Sequence, residues 1–181
     1  MKAGILGYPI EHSLSPKIYG ELARECGVEL DYGIFSLSEA ELERRWSDFE
    51  AFDGLNVTSP YKQKVMKFCS SLSPDAERVG AVNVLSKRDG KWIGHNSDVF
   101  GFRQSLVETG RDIATAAVFG SGGAARAAIV ALEDLGANRI FWVSREPRTL
   151  EAKGVVEPCR YTGTFNVDLY VNATPVGMQG H

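Results

Sequence analysis

VFGSGGAARAA, residues 118–128, is the stretch that decides the fold. It runs from a short apolar segment, TAAVFG, into an Ala-rich helical pattern, GAARAAIVALEDLG. It fits G-x-G-x-x-A through Gly120, Gly122 and Ala125, with Gly123 as an additional glycine. In such a turn the first glycine permits the sharp change of direction and the second lets the backbone approach a pyrophosphate. The small third residue keeps helix and strand close, and the helix N-terminus offers free N–H groups to the anion. Gly120, Ser121, Gly122, Gly123 and Ala124 are therefore candidate dinucleotide contacts. An ordinary tight βα turn shares the local pattern, and the strand–turn–helix context is what favours a nucleotide.

The tip of the next strand reports on the cofactor. RIFWVS, residues 139–144, reads as a buried strand and leads into VSREPR, residues 143–148. An acidic residue at this tip suits a ribose 2′-OH, whereas arginine suits a 2′-phosphate. Arg145 and Arg148 point to NADP, and Ser144 adds a hydrogen bond to the phosphate. Glu146 would accept from a 2′-OH and keeps NAD as the alternative. The next clear strand is DLYVNAT, residues 168–174, after which only PVGMQGH follows. The expectation is a Rossmann-like dinucleotide-binding domain over 101–181 that stops short of its second half.

Upstream, strand-like runs alternate with helical patterns. KAGILGY, DYGIFSL and GLNVT read as strands. KIYGELARECG reads as a helix closed by Gly27, and Ser38 with Glu41 forms a capping-box signature opening a helix to about Phe49. A helix is expected over 61–69, a shorter one from Ser73-Pro74, a hairpin around Asp89-Gly90, and a helix over 98–110. Alternating β and α elements predict an α/β protein, with an N-terminal α/β domain over 1–100 built on a mostly parallel sheet.

That first domain carries its polar residues at strand tips. PIEHSLSP places Ser13 and Ser15 after the first strand, and NVTSPYK places Asn56, Thr58 and Lys62 at the end of the third. GAVNV adds Asn83, and GHNSD adds Asn96 and Asp98. Ligands of parallel sheets bind at the carboxyl ends of strands. Hydroxyls, amides and one cation gathered there suit a small polyhydroxylated acid. Lys62 stands out because a helix N-terminus disfavours a positive charge. Each residue also has a structural reading. Ser13 and Ser15 are good helix starts, Asn56 and Thr58 turn formers, and Asp98 an N-cap; Lys62 reads as a solvated helix lysine, and His12 and His95 as loop residues.

Taken together, GYPIEHSLSP, NVTSPYK, GAVNV, GHNSDVFG, GSGGAARA and NATPVGM resemble the shikimate dehydrogenase family, in order and spacing, over essentially the whole chain. The resemblance implies reduction of 3-dehydroshikimate to shikimate with NADPH, on the route to chorismate and aromatic amino acids. It implies that Ser13, Ser15, Asn56, Thr58, Lys62, Asn83 and Asp98 line the substrate site and that Lys62 and Asp98 are the catalytic pair. It places Thr174, in NATPVGM, beside the dinucleotide. The related quinate/shikimate dehydrogenases, which often use NAD, are the alternative, as is a chain that binds shikimate without transferring hydride. Two positions depart from the family: Tyr19-Gly20 stands where His-Asn is frequent, and Ser97 where Thr is usual. Relatives also continue beyond VGMQG with a helix that supplies a glutamine to the substrate.

Bulk properties bound the remaining classes. A net charge of -3 gives no general field for nucleic acid or an anionic membrane surface. No apolar run approaches the roughly 20 residues that span a bilayer. Cys26, Cys69 and Cys159 form neither a C-x-x-C pair nor an even set, which predicts a reduced, cytoplasmic protein without a metal site. Its expected partner is the small-molecule substrate, bound by a monomer or homodimer.

Overall fold

The structure, a computed structural model, describes residues 1–147, 154–161 and 163–177. The chain divides into two compact units. One comprises Met1–Glu77 with Ala81–Asn96; the other comprises Arg78–Gly80 with the chain from Ser97 onward.

The first unit begins β1 (Lys2–Gly7), α1 (Ser15–Glu25), β2 (Asp31–Ser36) and α2 (Glu39–Arg45), followed by a 3-10 turn over Trp46–Ala51 and β3 (Gly54–Val57). A second 3-10 helix, Lys64–Phe68, precedes β4 (Ser71–Leu72), α3 (Pro74–Val79), β5 (Val84–Arg88) and β6 (Lys91–His95). The strands lie in the order β2-β1-β3-β5-β6-β4. β1 pairs in parallel with both β2 and β3, and β4 with β6, while β5 runs antiparallel to β3 and β6. The Asp89-Gly90 turn joins β5 to β6 with both residues left-handed, at φ 51° and 74°, the geometry of a tight hairpin. Leu6, Leu42, Phe49, Leu55, Val57, Tyr61 and Leu85 form the core under this sheet. Each such side chain taken out of water contributes ~1.5–3 kcal/mol before the entropy of ordering is counted. α2 opens as its sequence predicts, with the Ser38 N–H donating to Glu41 Oε2 at 2.9 Å.

The second unit contains α4 (Asp98–Val107), β7 (Thr115–Phe119), α5 (Gly123–Asp134), β8 (Arg139–Val143), β9 (Val156–Cys159) and β10 (Leu169–Asn172). Among the described residues its four strands are all parallel, in the order β10-β7-β8-β9. Counted from β7 this is 4-1-2-3, the arrangement of the first four strands of a dinucleotide-binding sheet. α5 buries Ala125, Ala127, Ala128, Ile129, Val130, Ala131 and Leu132, and its alanines let the helix lie close on the strands. β10 is anchored by Asp168, whose Oδ2 accepts the N–H groups of Ala114 (3.1 Å) and Thr115 (2.8 Å) and the Thr115 hydroxyl (2.9 Å). The Thr115 hydroxyl, helped by these backbone donors, holds the Asp168 carboxyl below the usual carboxylate range. Its stabilising contribution is present above that range and is lost as pH falls through the lowered value.

Two local expectations are corrected and one unread strand is added. The strand after β8 is β9, not DLYVNAT. Pro158 within VEPC reads against a strand, yet it is tolerated on an edge, where the missing N–H breaks no interior ladder. β4, two residues long, carries no periodic signal. The helix expected over 61–69 is a turn followed by the shorter 3-10 helix, so Lys62 precedes the helix and is not in its first turn.

The β7–α5 turn is held from behind. Trp142 on β8 is buried, and its indole Nε1–H donates to the Gly120 carbonyl at 2.6 Å. Trp142→Phe removes this donor and leaves a carbonyl unsatisfied, so urea unfolding is expected to show a loss of ~1–3 kcal/mol; unchanged stability would show that the turn does not depend on the indole.

Candidate active site

The expected substrate residues of the first unit converge through the sheet. Asn56 lies on β3, and Thr58 directly follows it, with its N–H donating to the Leu6 carbonyl at 2.9 Å. Gly7, at the end of β1, has no side chain because a Cβ there would meet Thr58 Cγ2 at 2.5 Å. Since β5 is antiparallel to β3, the residue entering β5 reaches the same edge. The buried Asn83 accepts the Val57 N–H at 2.8 Å through its carbonyl, and its own N–H donates to the His95 carbonyl at 3.0 Å. The Lys62 carbonyl accepts the Val82 N–H at 2.6 Å, which fixes this turn against the segment leading to β5. Asn96 is also buried, its Nδ2 donating to the Ala81 carbonyl at 2.9 Å. His95 is a β6 residue, not a loop residue, with its ring nitrogen 2.9 Å from the Ser86 hydroxyl.

Ser13 and Ser15 lie on the loop from β1 to α1. Ser15 is the first residue of α1; Ser13 Oγ accepts its N–H at 3.2 Å and donates to Ser15 Oγ at 3.1 Å. Part of their structural reading thus holds, since Ser13 supports the helix start. The loop is tethered to β2 by the Ser36 hydroxyl, which donates to Glu11 Oε1 at 2.7 Å and holds that carboxyl below its ordinary range.

Two residues that sequence reading missed join this group. The Tyr32 hydroxyl donates to Asn56 Oδ1 at 2.6 Å, and Asn56 Nδ2 donates to the Tyr19 hydroxyl at 3.0 Å. The two phenol rings stack, with centroids 5.0 Å apart and planes 9° from parallel. Burial, reinforced by Tyr19 and partly offset by Ser15, pushes the Tyr32 phenol up to about 12. No sequence pattern signals a contact among α1, β2 and β3; the two strands are brought near only by their separate parallel pairings with β1. Burial also pushes the Cys69 thiol up to about 11, so it is not a thiolate at neutral pH.

In the second unit, Asp98 is the first residue of α4, with Ser97 at the N-cap position. The glycine turn has the geometry its pattern predicts. Gly120 has φ 124°, and a Cβ on it would lie 2.7 Å from the Ala173 carbonyl, so the turn packs directly on the segment carrying Thr174. Gly122 faces open space, and α5 starts at Gly123 with no capping side chain. Ser121 and Ala124 are exposed beside them. The Ser144 hydroxyl, just past β8, is buried with no hydrogen-bond partner among the described residues. Arg145 is exposed next to it; Arg148 lies outside the described residues. Thr174 donates its hydroxyl to Asn172 Oδ1 at 2.6 Å and receives the Val176 N–H at 3.2 Å, so its side chain builds the strand-end turn. An open glycine backbone, an uncapped helix start and an orphaned hydroxyl at the second strand tip fit a phosphorylated dinucleotide.

A parallel sheet in this strand order, entered through such a turn, places the chain among the Rossmann-type dinucleotide-binding proteins, with a separate α/β unit whose strand edge is lined by polar groups. Residues 5–85 match the shikimate dehydrogenase substrate binding domain. The shikimate dehydrogenase (NADP(+)) of Xylella fastidiosa (strain M12) is 39% identical over 188 residues, covering 96% of this chain and 67% of that protein. Shikimate 5-dehydrogenase from Thermus thermophilus, solved in complex with NADP(H) and shikimate, aligns with a TM-score of 0.74 at 31% identity, over 81% of this chain and 57% of that one. Quinate dehydrogenase from Corynebacterium glutamicum in complex with NAD aligns with a TM-score of 0.86 at 25% identity, over 100% and 73% of the two chains. The chain belongs to the shikimate dehydrogenase family. It spans about two thirds of the length of the curated relatives it matches (67%). Among the described residues no helix is long and apolar enough to cross a membrane.

The raised Tyr32 value has a measurable consequence. Absorbance titration of phenolate is expected to show a late rise to which Tyr32 contributes near 12, with Tyr61, whose phenol burial also pushes up, titrating above the ordinary tyrosine range as well. Because the folded value of Tyr32 exceeds the ordinary one of ~10, its stabilising contribution is complete below pH ~10 and is lost as pH rises towards 12. Tyr32→Phe should remove one tyrosine's amplitude from the rise near 12; an unchanged amplitude there would assign it to another tyrosine.

Proposed function

We propose that this chain catalyses the reversible NADPH-dependent reduction of 3-dehydroshikimate to shikimate, a step towards chorismate and the aromatic amino acids. The first domain, 1–100, binds substrate, and the second, 101–181, binds NADP. The observation that carries this reading is the polar strand edge, where Asn56, Thr58, the Lys62 turn and Asn83 are drawn together by β1, β3 and β5. Hydroxyls from Ser13, Ser15 and Thr58 and amides from Asn56 and Asn83 suit a carboxylate and several ring hydroxyls.

When bound, NADPH supplies a hydride to the ketone carbon. The pyrophosphate would rest on the Gly120–Ala124 turn and the start of α5, the 2′-phosphate on Ser144 and Arg145, with Arg148 a further contact, and Thr174 would flank the dinucleotide. The residues of this chain manage the proton. Lys62 stabilises the negative charge that develops on the substrate oxygen and donates or relays a proton to it. Asp98, the second member of the proposed catalytic pair, accepts from a substrate hydroxyl. The protein acts in the cytoplasm as a monomer or homodimer.

Reduced-nicotinamide absorbance with shikimate and NADP tests this reading. Lys62→Ala is expected to lower kcat by about 100-fold or more while circular dichroism stays that of the parent; near-parental turnover would remove Lys62 from the chemistry. Asp98→Asn, which keeps the shape and deletes the charge, should also lower turnover. Binding of shikimate without turnover would leave a substrate-binding chain.

One observation favours a second reading. Glu146 is exposed beside Arg145 just past β8, and an acid at such a tip suits the 2′-OH of NAD. A quinate/shikimate dehydrogenase would then turn over quinate with NAD at a rate comparable to shikimate with NADP. Ser144→Ala separates the two cofactors: it should raise the KM for NADP several-fold, in line with a lost hydrogen bond, and leave that for NAD unchanged.

A further inference from the structure

Both ends of the Asn56 amide are held by other side chains, in a single directional chain. Tyr32 donates to its oxygen, and its nitrogen donates to Tyr19. A phenol has one proton. Tyr32 sits in a desolvated position and keeps that proton through the neutral range, so its partner must be an acceptor. Only the Oδ1 end of the amide meets that need, and the amide is thereby fixed with Nδ2 towards Tyr19. Tyr19 then accepts through its oxygen, and no described residue takes its own proton. One N–H of Asn56 is likewise unused among the described residues. The stacked rings stiffen the arrangement from α1 and β2 at once. Hydrogen bonds in series polarise one another, which strengthens the donors at the end of the chain.

We propose that Tyr32 is a positioning residue and Tyr19 a contact residue of the substrate site: together they lock the Asn56 amide in one orientation, so that its second N–H and the Tyr19 hydroxyl form a paired donor for one oxygen of the substrate. The proposal rests on the reading of Asn56 as a substrate contact. The oxygen recognised is an acceptor, a ring hydroxyl of shikimate, and an analogue lacking it would leave both donors unsatisfied, the condition under which a site discriminates most strongly.

The test uses the full chain, with Tyr32→Phe and Tyr19→Phe, which keep the stacked rings and delete one hydroxyl each. In the parent without ligand, 15N NMR is expected to show two resolved, slowly exchanging Asn56 side-chain protons, and Tyr32→Phe should shift and broaden them. An unchanged amide signal would overturn the locking, whatever the substrate. In turnover, each variant should raise the KM for shikimate roughly tenfold, the scale of one hydrogen bond, with kcat changed less than about threefold, as for an interaction made equally in ground and transition states. In an Asn56→Ala background, Tyr32→Phe should add nothing further, because both act through the same amide. The same KM increase in that background would overturn the proposal in favour of a general packing role. Absence of shikimate binding by the parent would refute the proposed function, and with it the assignment of this donor pair to shikimate, while the amide signal would still decide whether the tyrosines orient Asn56.

Discussion

Two backbone hydrogen bonds tie the chain leaving β3 to the chain entering β5: Val57 N–H to the Asn83 carbonyl at 2.8 Å and Val82 N–H to the Lys62 carbonyl at 2.6 Å. The polar edge of the first unit depends on them. In a purely parallel sheet the entry to β5 would lie at the opposite end from the exit of β3. Reversal of β5 brings Asn83 to the end where β1 and β3 finish, and the turn carrying Lys62 is pinned there by its own main chain. Lys62, which the sequence pattern puts at a helix start, is thus a turn residue, held through its own carbonyl and not by the helix it precedes.

The second unit meets a different constraint, close approach. Its glycine turn is confined on one side by the Ala173 carbonyl and on another by the indole of Trp142, and it faces open space at Gly122. Small residues are required on the confined sides, and this is why VFGSGGAARAA can be read as a turn of this kind without coordinates. The run of buried alanines along α5 has the same origin. Sequence is most legible where sterics leave few choices.

It is least legible where contacts cross between elements. The strands β1, β2 and β3 were readable from apolar runs, and their parallel pairing from the helices between them. β4 was too short to carry a period, and β9 was hidden by Pro158, a residue that marks an edge more than it forbids a strand. Among the proposed site residues, Asn56, Thr58 and Asn83 are legible at strand ends because strand ends are where apolar runs stop. Tyr19 and Tyr32 could not, since a helix residue and an edge-strand residue meet over Asn56 only after β1 has been laid between β2 and β3.

The placement of the indoles has an optical meaning. The chain has three tryptophans. Trp46 and Trp92 sit together among the aromatic rings of the first unit, their centroids 6.0 Å apart, while Trp142 belongs to the second unit and touches the glycine turn. Each unit therefore carries its own indole, and the single tryptophan of the second donates to a backbone carbonyl of its glycine turn. Fluorescence from a protein retaining only Trp142 would report on that loop alone, free of signal from the polar edge.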